Sequence, residues 1–163
     1  MTIQVGVVGA GIMGRRMIQR MTDHGAFRVA CVWDPAAQAV ADALDLAPGA
    51  AAAGSVEDLV RRDDVDVVYI ASPPRFHMAQ AGAAFDAGKK VLCEKPLAVN
   101  LGEAAAMTDR VGAEGLSAAV NYPLATAPAF RHLAQAVTDW GGCDYTKARL
   151  TVAFRTWPRP WQA

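Results

Sequence analysis

The chain has 163 residues, of which 16 are basic and 16 acidic, and 53% of them are hydrophobic. This length can bury one substantial core, so one domain plus a remainder is the expected organisation. A formal net charge of zero argues against a basic surface for nucleic acid and against a polybasic membrane patch. No apolar run approaches the ~20 residues that span a bilayer, and we expect no membrane segment.

The cysteines predict no disulfide framework. Cys31 and Cys93 stand in apolar surroundings and Cys143 stands near a Gly-Gly turn, without a CxxC pair or metal-ligand spacing. We therefore expect reduced, buried thiols, no metal site and a cytoplasmic protein. The pair Arg15-Arg16 follows strand-like residues that begin at Ile3, so it does not indicate an export signal.

Short apolar runs alternate with alanine-rich helical segments along the first 122 residues. This alternation predicts an α/β fold, a Rossmann-type doubly wound parallel sheet with helices on both faces. The predicted strands are 3–8, 27–33, 50–53, 65–71, 89–94 and 116–122. The predicted helices are 12–24, 36–44, 56–61 and 76–86, followed by one that Asn100 caps and that reaches about Glu114. Glycines at 25, 88 and 115 are placed to end helices.

The character of the chain changes at Pro123. A helix over 129–140 and a half-buried strand over 145–156 are predicted there. We therefore predict a dinucleotide-binding domain over 1–122, and over 123–163 the start of an incomplete substrate or oligomerisation domain. The apolar strip on strand 145–156 needs a cover, so we expect a homo-oligomer through this strand.

A glycine motif follows the first strand and opens the first helix. The residues Gly9, Ala10, Gly11, Ile12, Met13 and Gly14 form a GxGxxG string in that context. The first glycine permits a tight turn, the second lets a pyrophosphate approach the backbone, and the third lets helix and strand pack closely. The helix start offers unpaired N–H groups to the phosphates. The motif predicts dinucleotide binding.

Asp34 stands 20 residues after Gly14, at the end of the second predicted strand. Its carboxylate can accept hydrogen bonds from both ribose hydroxyls of an adenosine, and it would repel a 2′-phosphate. Since Pro35, Ala36 and Ala37 bring no basic side chain, the sequence favours NAD over NADP. A glycine turn used only for packing, and a methyltransferase that binds a nucleoside, remain as alternatives.

Two further turns lie at the same predicted sheet edge. Ser72-Pro73-Pro74 with His77 follows the fourth strand, and Glu94-Lys95-Pro96 ends the fifth. With the glycine motif, these SPPxxH and EKP turns resemble the glucose-fructose oxidoreductase / inositol dehydrogenase / MocA (Gfo/Idh/MocA) family. The resemblance covers about residues 3 to 156.

The resemblance implies NAD(P)-dependent hydride transfer to or from a sugar, cyclitol or similar alcohol. It implies that Ser72, Pro73 and His77 border the cofactor, that Glu94 contacts its ribose, and that Lys95 reaches the nicotinamide and the substrate hydroxyl. An ammonium there can stabilise alkoxide charge or assist proton transfer.

Two departures from the family pattern limit the prediction. No arginine follows the sixth strand, in the stretch 121–125. The family's aspartate and histidine, four residues apart in a second domain, have no counterpart, since His24, His77 and His132 lack an aspartate at that spacing. We therefore expect part of the active site to be missing, and a non-catalytic NAD(H)-binding module is the alternative function.

Overall fold

A computed structural model describes residues 2–123 and 127–141. The chain divides into two compact units, Met1–Tyr122 and Pro123–Ala163. The first unit is a six-stranded parallel sheet with the strand order β3-β2-β1-β4-β5-β6. Its strands are β1 (Ile3–Val8), β2 (Phe27–Trp33), β3 (Ala51–Ala52), β4 (Val67–Ile70), β5 (Lys90–Glu94) and β6 (Ala118–Asn121).

The helices of the first unit connect these strands. They are α1 (Ile12–His24), α2 (Ala37–Leu44), α3 (Val56–Val60), α4 (His77–Asp86) and α5 (Leu101–Glu114), and a 3₁₀ turn at Pro74–Phe76 precedes α4. The Rossmann-type fold is thereby confirmed. The strand order reverses direction between β1 and β4, and ligands of such sheets bind beyond the carboxyl ends of the strands at this switch point.

Helix ends follow the local chemistry of the sequence. The Asn100 side chain caps α5 by accepting a hydrogen bond of 2.8 Å from the N–H of Gly102, and Ser55 caps α3 through the N–H of Asp58 at 3.0 Å. Gly25 and Gly115 end α1 and α5 with φ of 71° and 65°, a left-handed conformation that glycine adopts without a steric penalty.

The central strands are buried on both faces, as continuous apolar runs in parallel sheets require. Side chains of β1 and β2 pack against α1 on one face, where Ile18 is completely buried. On the other face, Leu59 of α3 and Phe85 of α4 pack against Val68 and Ile70 of β4. The core thus centres on β1, β2 and β4, the strands on either side of the switch point.

Helices cover the sheet less closely at the edge strand β6. Ala118 and Ala119 are exposed, and α5 contributes no fully buried residue. A cavity of about 190 Å³ separates α4 and α5 from β5 and β6. Met107 and Val111 of α5 still pack against the core cluster, while the small alanines of β6 add little apolar surface to that contact.

In the second unit, the described element is α6 (Pro128–Asp139), one residue from the predicted start and end. Its Phe130 and Leu133 are exposed to 40% and 44%. The predicted strand 145–156 and Cys143 lie outside the described residues, so the predictions for them stay predictions. None of the helices in the described part of the chain is long and apolar enough to cross a membrane.

Candidate functional site

Polar and glycine residues meet at the carboxyl edge of the sheet. In the spatial order of the strands, Asp34 follows β2, the turn 9–14 follows β1, Ser72 follows β4, Glu94 ends β5 and Asn121 ends β6. The fold therefore brings the predicted site residues to one edge, in a row across it. The row spans the switch point, where an open α/β sheet binds its ligand.

Each glycine of the turn has a different environment. Gly9 has φ of 97°, and a Cβ there would lie 2.6 Å from the backbone nitrogen of Ser72. A Cβ on Gly14 would overlap the carbonyl oxygen of Gly9, so these two glycines are required by the protein's own packing. Gly11 differs, because a Cβ on it would meet no atom within 4 Å.

Helix α1 begins beside this open space without a side-chain cap. Gly11 occupies the N-cap position and provides no side-chain hydrogen bond to the helix. Ile12, the first helical residue, is 56% exposed. The first-turn N–H groups of an uncapped helix are available to an anion, and the helix dipole adds to the attraction.

Asp34 joins the end of β2 to the glycine turn. Its Oδ2 accepts a hydrogen bond of 2.8 Å from the N–H of Ala10, and its Oδ1 accepts one of 2.9 Å from the N–H of Ala36. Each carboxylate oxygen has a second lone-pair direction, so the side chain can also accept from ligand hydroxyls. A pocket of about 390 Å³ lies beside it, lined by Trp33, Pro35, Gly54 and residues of α2.

His77 connects the turns that follow β4 and β5. It is completely buried, with Nε2 at 2.8 Å from the carbonyl oxygen of Ser72 and Nδ1 at 3.0 Å from that of Pro96. Since both oxygens only accept, a neutral imidazole donates to one of them at a time. The Ser72 hydroxyl donates to Oε1 of Gln80 at 2.5 Å.

Glu94 is held by two side chains that the sequence analysis did not single out. Its Oε1 accepts hydrogen bonds from the Tyr69 hydroxyl at 2.7 Å and from Nδ2 of Asn121 at 2.6 Å. Burial and the hydrogen bond to Glu94 raise the pKa of Tyr69 far above its usual range, so the phenol stays protonated and donates. The sequence signal for this hydrogen bond was a tyrosine inside a buried strand, because a buried hydroxyl requires a hydrogen-bond partner.

Lys95 and Cys93 flank Glu94 in very different environments. Lys95 is exposed and forms no ion pair with any carboxylate of the described residues, which leaves its ammonium available to a ligand. Burial, with a further contribution from the charge of Glu94, raises the pKa of the Cys93 thiol to about 12. Cys93 is therefore a protonated core residue and not a nucleophile.

Comparison with known proteins identifies the family. A family model described as "Oxidoreductase family, NAD-binding Rossmann fold" (GFO_IDH_MocA) matches residues 3–122. The chain belongs to the Gfo/Idh/MocA family. The resemblance seen in the sequence and the NAD-binding Rossmann fold are both confirmed by this match.

Relatives of known activity share the same part of the chain. An inositol 2-dehydrogenase of Corynebacterium glutamicum (strain R) is 41% identical over 97 residues, which cover 59% of this chain and 29% of that protein. A 1,5-anhydro-D-fructose reductase of Ensifer adhaerens is 41% identical over 85 residues, which cover 52% of this chain and 26% of that protein.

A solved structure shows the same architecture with ligands. The myo-inositol dehydrogenase from Lactobacillus casei, in complex with NAD(H) and myo-inositol, has a TM-score of 0.81 and 28% sequence identity. The match covers 85% of this chain and 42% of that one. This Gfo/Idh/MocA chain therefore spans less than half the length of these relatives.

Proposed function

We propose that this chain supplies the cofactor-binding part of an NAD-dependent oxidoreductase acting on a sugar, a cyclitol or a similar alcohol. The observation that carries the proposal is the turn 9–14, which Asp34 fixes from the end of β2 while the space at Gly11 stays open. The substrate class rests on the inositol 2-dehydrogenase and anhydrofructose reductase relatives.

The residues present fit a dinucleotide. The turn residues Gly9, Gly11, Ile12, Met13 and Gly14 would hold the pyrophosphate at the uncapped start of α1, and Asp34 would hold the adenosine ribose. The apolar pocket beside Asp34 would take the adenine. Ser72, Pro73, His77 and Glu94 would border the other half of the cofactor.

NAD is preferred to NADP in this proposal. Asp34 carries the negative charge that repels a 2′-phosphate. Pro35, Ala36 and Ala37 follow it without a cation. Pre-organisation adds to the preference, because the two backbone hydrogen bonds prevent the carboxylate from turning away.

The catalytic contribution of this chain centres on Lys95. Nicotinamide supplies hydride chemistry when it is bound. Lys95, free of carboxylate partners among the described residues, would stabilise negative charge on the substrate oxygen. Nδ1 of His77 lies 3.0 Å from the carbonyl oxygen of Pro96, the residue after Lys95, so this buried ring packs beside the backbone from which the ammonium extends.

A second candidate function is a non-catalytic NAD(H)-binding module. It is favoured by where the histidines lie and what they contact. His77 is buried with both ring nitrogens beside carbonyl oxygens, His24 ends α1 and packs against Phe27, and His132 lies in the second unit. Neither histidine of the first unit is placed as a proton acceptor at the carboxyl edge. The base of a complete enzyme would come from elsewhere.

One experiment separates the two candidates. Calorimetry with NAD should show binding under both, whereas NADH formation with NAD and a panel of polyols should occur only if this chain is itself an enzyme. Absence of NAD binding to the folded chain would refute both candidates.

We further propose a cytoplasmic location, which the unpaired, buried Cys31 and Cys93 support.

A further inference from the structure

Glu94 is a buried carboxylate without a cationic partner. The residue is 4% exposed, and its two hydrogen-bond donors, Tyr69 and Asn121, are both neutral. Among the described residues, no lysine, arginine or histidine forms an ion pair with it. A buried charge is costly unless something compensates it, so this arrangement points to a compensating charge outside the protein.

The two donors leave one side of the carboxylate for a ligand. Both hydrogen bonds end on Oε1, and Oε2 accepts none from the described residues. Oε2 is therefore the carboxylate oxygen left for a ligand at the carboxyl edge.

The order of the strands places Glu94 toward one end of a bound dinucleotide. Asp34, after β2, lies on one side of the glycine turn, and Glu94, at the end of β5, lies on the other. If Asp34 holds the adenosine ribose and the turn holds the pyrophosphate, the remaining half of the molecule extends over β4 and β5. That half carries the nicotinamide, which has a positive charge in NAD⁺ and none in NADH.

We propose that the charge of Glu94, held in place by Tyr69 and Asn121, makes this site bind NAD⁺ in preference to NADH. The inference rests on the proposed NAD site. Tyr69 and Asn121 act as positioning residues, since they fix Oε1 and direct the remaining charge outward. Lys95 has the opposite charge, but its exposed ammonium is screened by water and salt, whereas the buried carboxylate is screened much less.

The test is the ratio of two dissociation constants, Kd(NADH)/Kd(NAD⁺), measured by calorimetry on the full 163-residue chain. Glu94→Gln keeps an Oε1 acceptor for both donors and removes the charge. Its ratio should fall about three- to tenfold, as expected for one charge roughly 6–13 Å away at an effective dielectric constant of about 40. A tenfold change corresponds to ~30 mV in the two-electron potential of the bound cofactor.

Tyr69→Phe is the matched control. It removes one donor from the same carboxylate and keeps the charge, so its ratio should stay within about twofold of the wild-type value even if both affinities weaken. A merely structural role for Glu94 would instead weaken NAD⁺ and NADH equally in Glu94→Gln.

The outcomes separate the inference from the function on which it rests. A Glu94→Gln chain that binds both forms at the wild-type ratio overturns the inference and leaves the NAD site intact. A folded wild-type chain that binds neither form overturns the proposed function as well. If Glu94→Gln does not fold, the triple variant Tyr69→Phe/Glu94→Leu/Asn121→Leu replaces the carboxylate and both of its donors by apolar groups, and the same fall in the ratio is expected for it.

Discussion

The carboxylate of Asp34 already accepts hydrogen bonds from two backbone N–H groups of the protein itself. These bonds, from Ala10 and Ala36, fix the side chain at the point where a ribose would bind. A ligand therefore meets an acceptor that needs no reorientation, and little ordering entropy is lost on binding. The same bonds mean that removal of Asp34 affects the turn as well as the ligand.

We expect Asp34→Ala to weaken NAD binding by about 1–3 kcal/mol, since a charged acceptor of two hydroxyls is lost. NADP binding should weaken less, because the repulsion of its 2′-phosphate is lost together with the acceptor. Calorimetry with both cofactors measures the two changes. Asp34→Asn keeps an acceptor oxygen for one backbone N–H and controls for loosening of the turn. An unchanged preference between NAD and NADP would remove Asp34 from the ribose site.

Gly11 and Gly14 should respond in opposite ways to the same substitution. Gly11→Ala places its methyl group in open space and should fold with wild-type stability, but its NAD affinity should fall. The larger side chain of Gly11→Val should abolish NAD binding. Gly14→Ala forces a methyl group against the carbonyl of Gly9 and should lower the free energy of unfolding by about 1–3 kcal/mol or more. Urea unfolding and NAD calorimetry on both variants make the comparison. Full affinity in Gly11→Ala and Gly11→Val would contradict the pyrophosphate site.

At the scale of the elements, strands β2 and β5 each carry a buried thiol. Burial raises the pKa of Cys31 to about 11 and that of Cys93 to about 12, from an ordinary value of 9.0. Both groups are protonated in the folded and unfolded chains below pH 9. Above that pH the unfolded chain releases protons first, so the folded state loses stability until the folded pKa values are reached.

We expect the free energy of unfolding to fall by up to about 7 kcal/mol between about pH 9 and 12 because of these two thiols, whose pKa values are raised to about 11 and about 12. Urea unfolding at several pH values measures the loss. The double variant Cys31→Ala/Cys93→Ala should show a shallower decline over the same interval, since it has no thiol to titrate. Parallel declines in the two proteins would show that other groups control alkaline unfolding.

How far an element could be predicted depends on whether its signal is local. Helix α1 begins at Ile12 and ends at His24 as predicted, because a glycine motif precedes it and Gly25 follows it. The strand predicted over 65–71 is shorter, Val67–Ile70, because the N–H of Val65 instead bonds to Arg62 in a turn. Tyr69 and Asn121 were missed as partners of Glu94, since their contact depends on which strands are neighbours.

At the scale of the whole molecule, the predicted strand 145–156 is the proposed site of self-association. The chain should form a homodimer through this strand, because an apolar strip and an unpaired strand edge both need a partner. Light scattering at tens of micromolar, on the full chain and on a version ending at Tyr122, compares the two masses. A monomeric full chain whose residues 145–156 are protected from hydrogen exchange would show that the strip is covered within its own chain.

The two-sided exposure of β6 has a consequence for local motion. An edge strand with alanines on both faces and a cavity behind it is expected to open by itself at a lower free energy than the central strands. Each opening withdraws Asn121 from Glu94 and leaves Tyr69 as the remaining donor on Oε1. A ligand that is attracted by the charge of Glu94 would then stabilise the state in which β6 is paired with β5. The amide protons of β6, a strand separated from β1 by β4 and β5, should therefore exchange more slowly when the cofactor is bound.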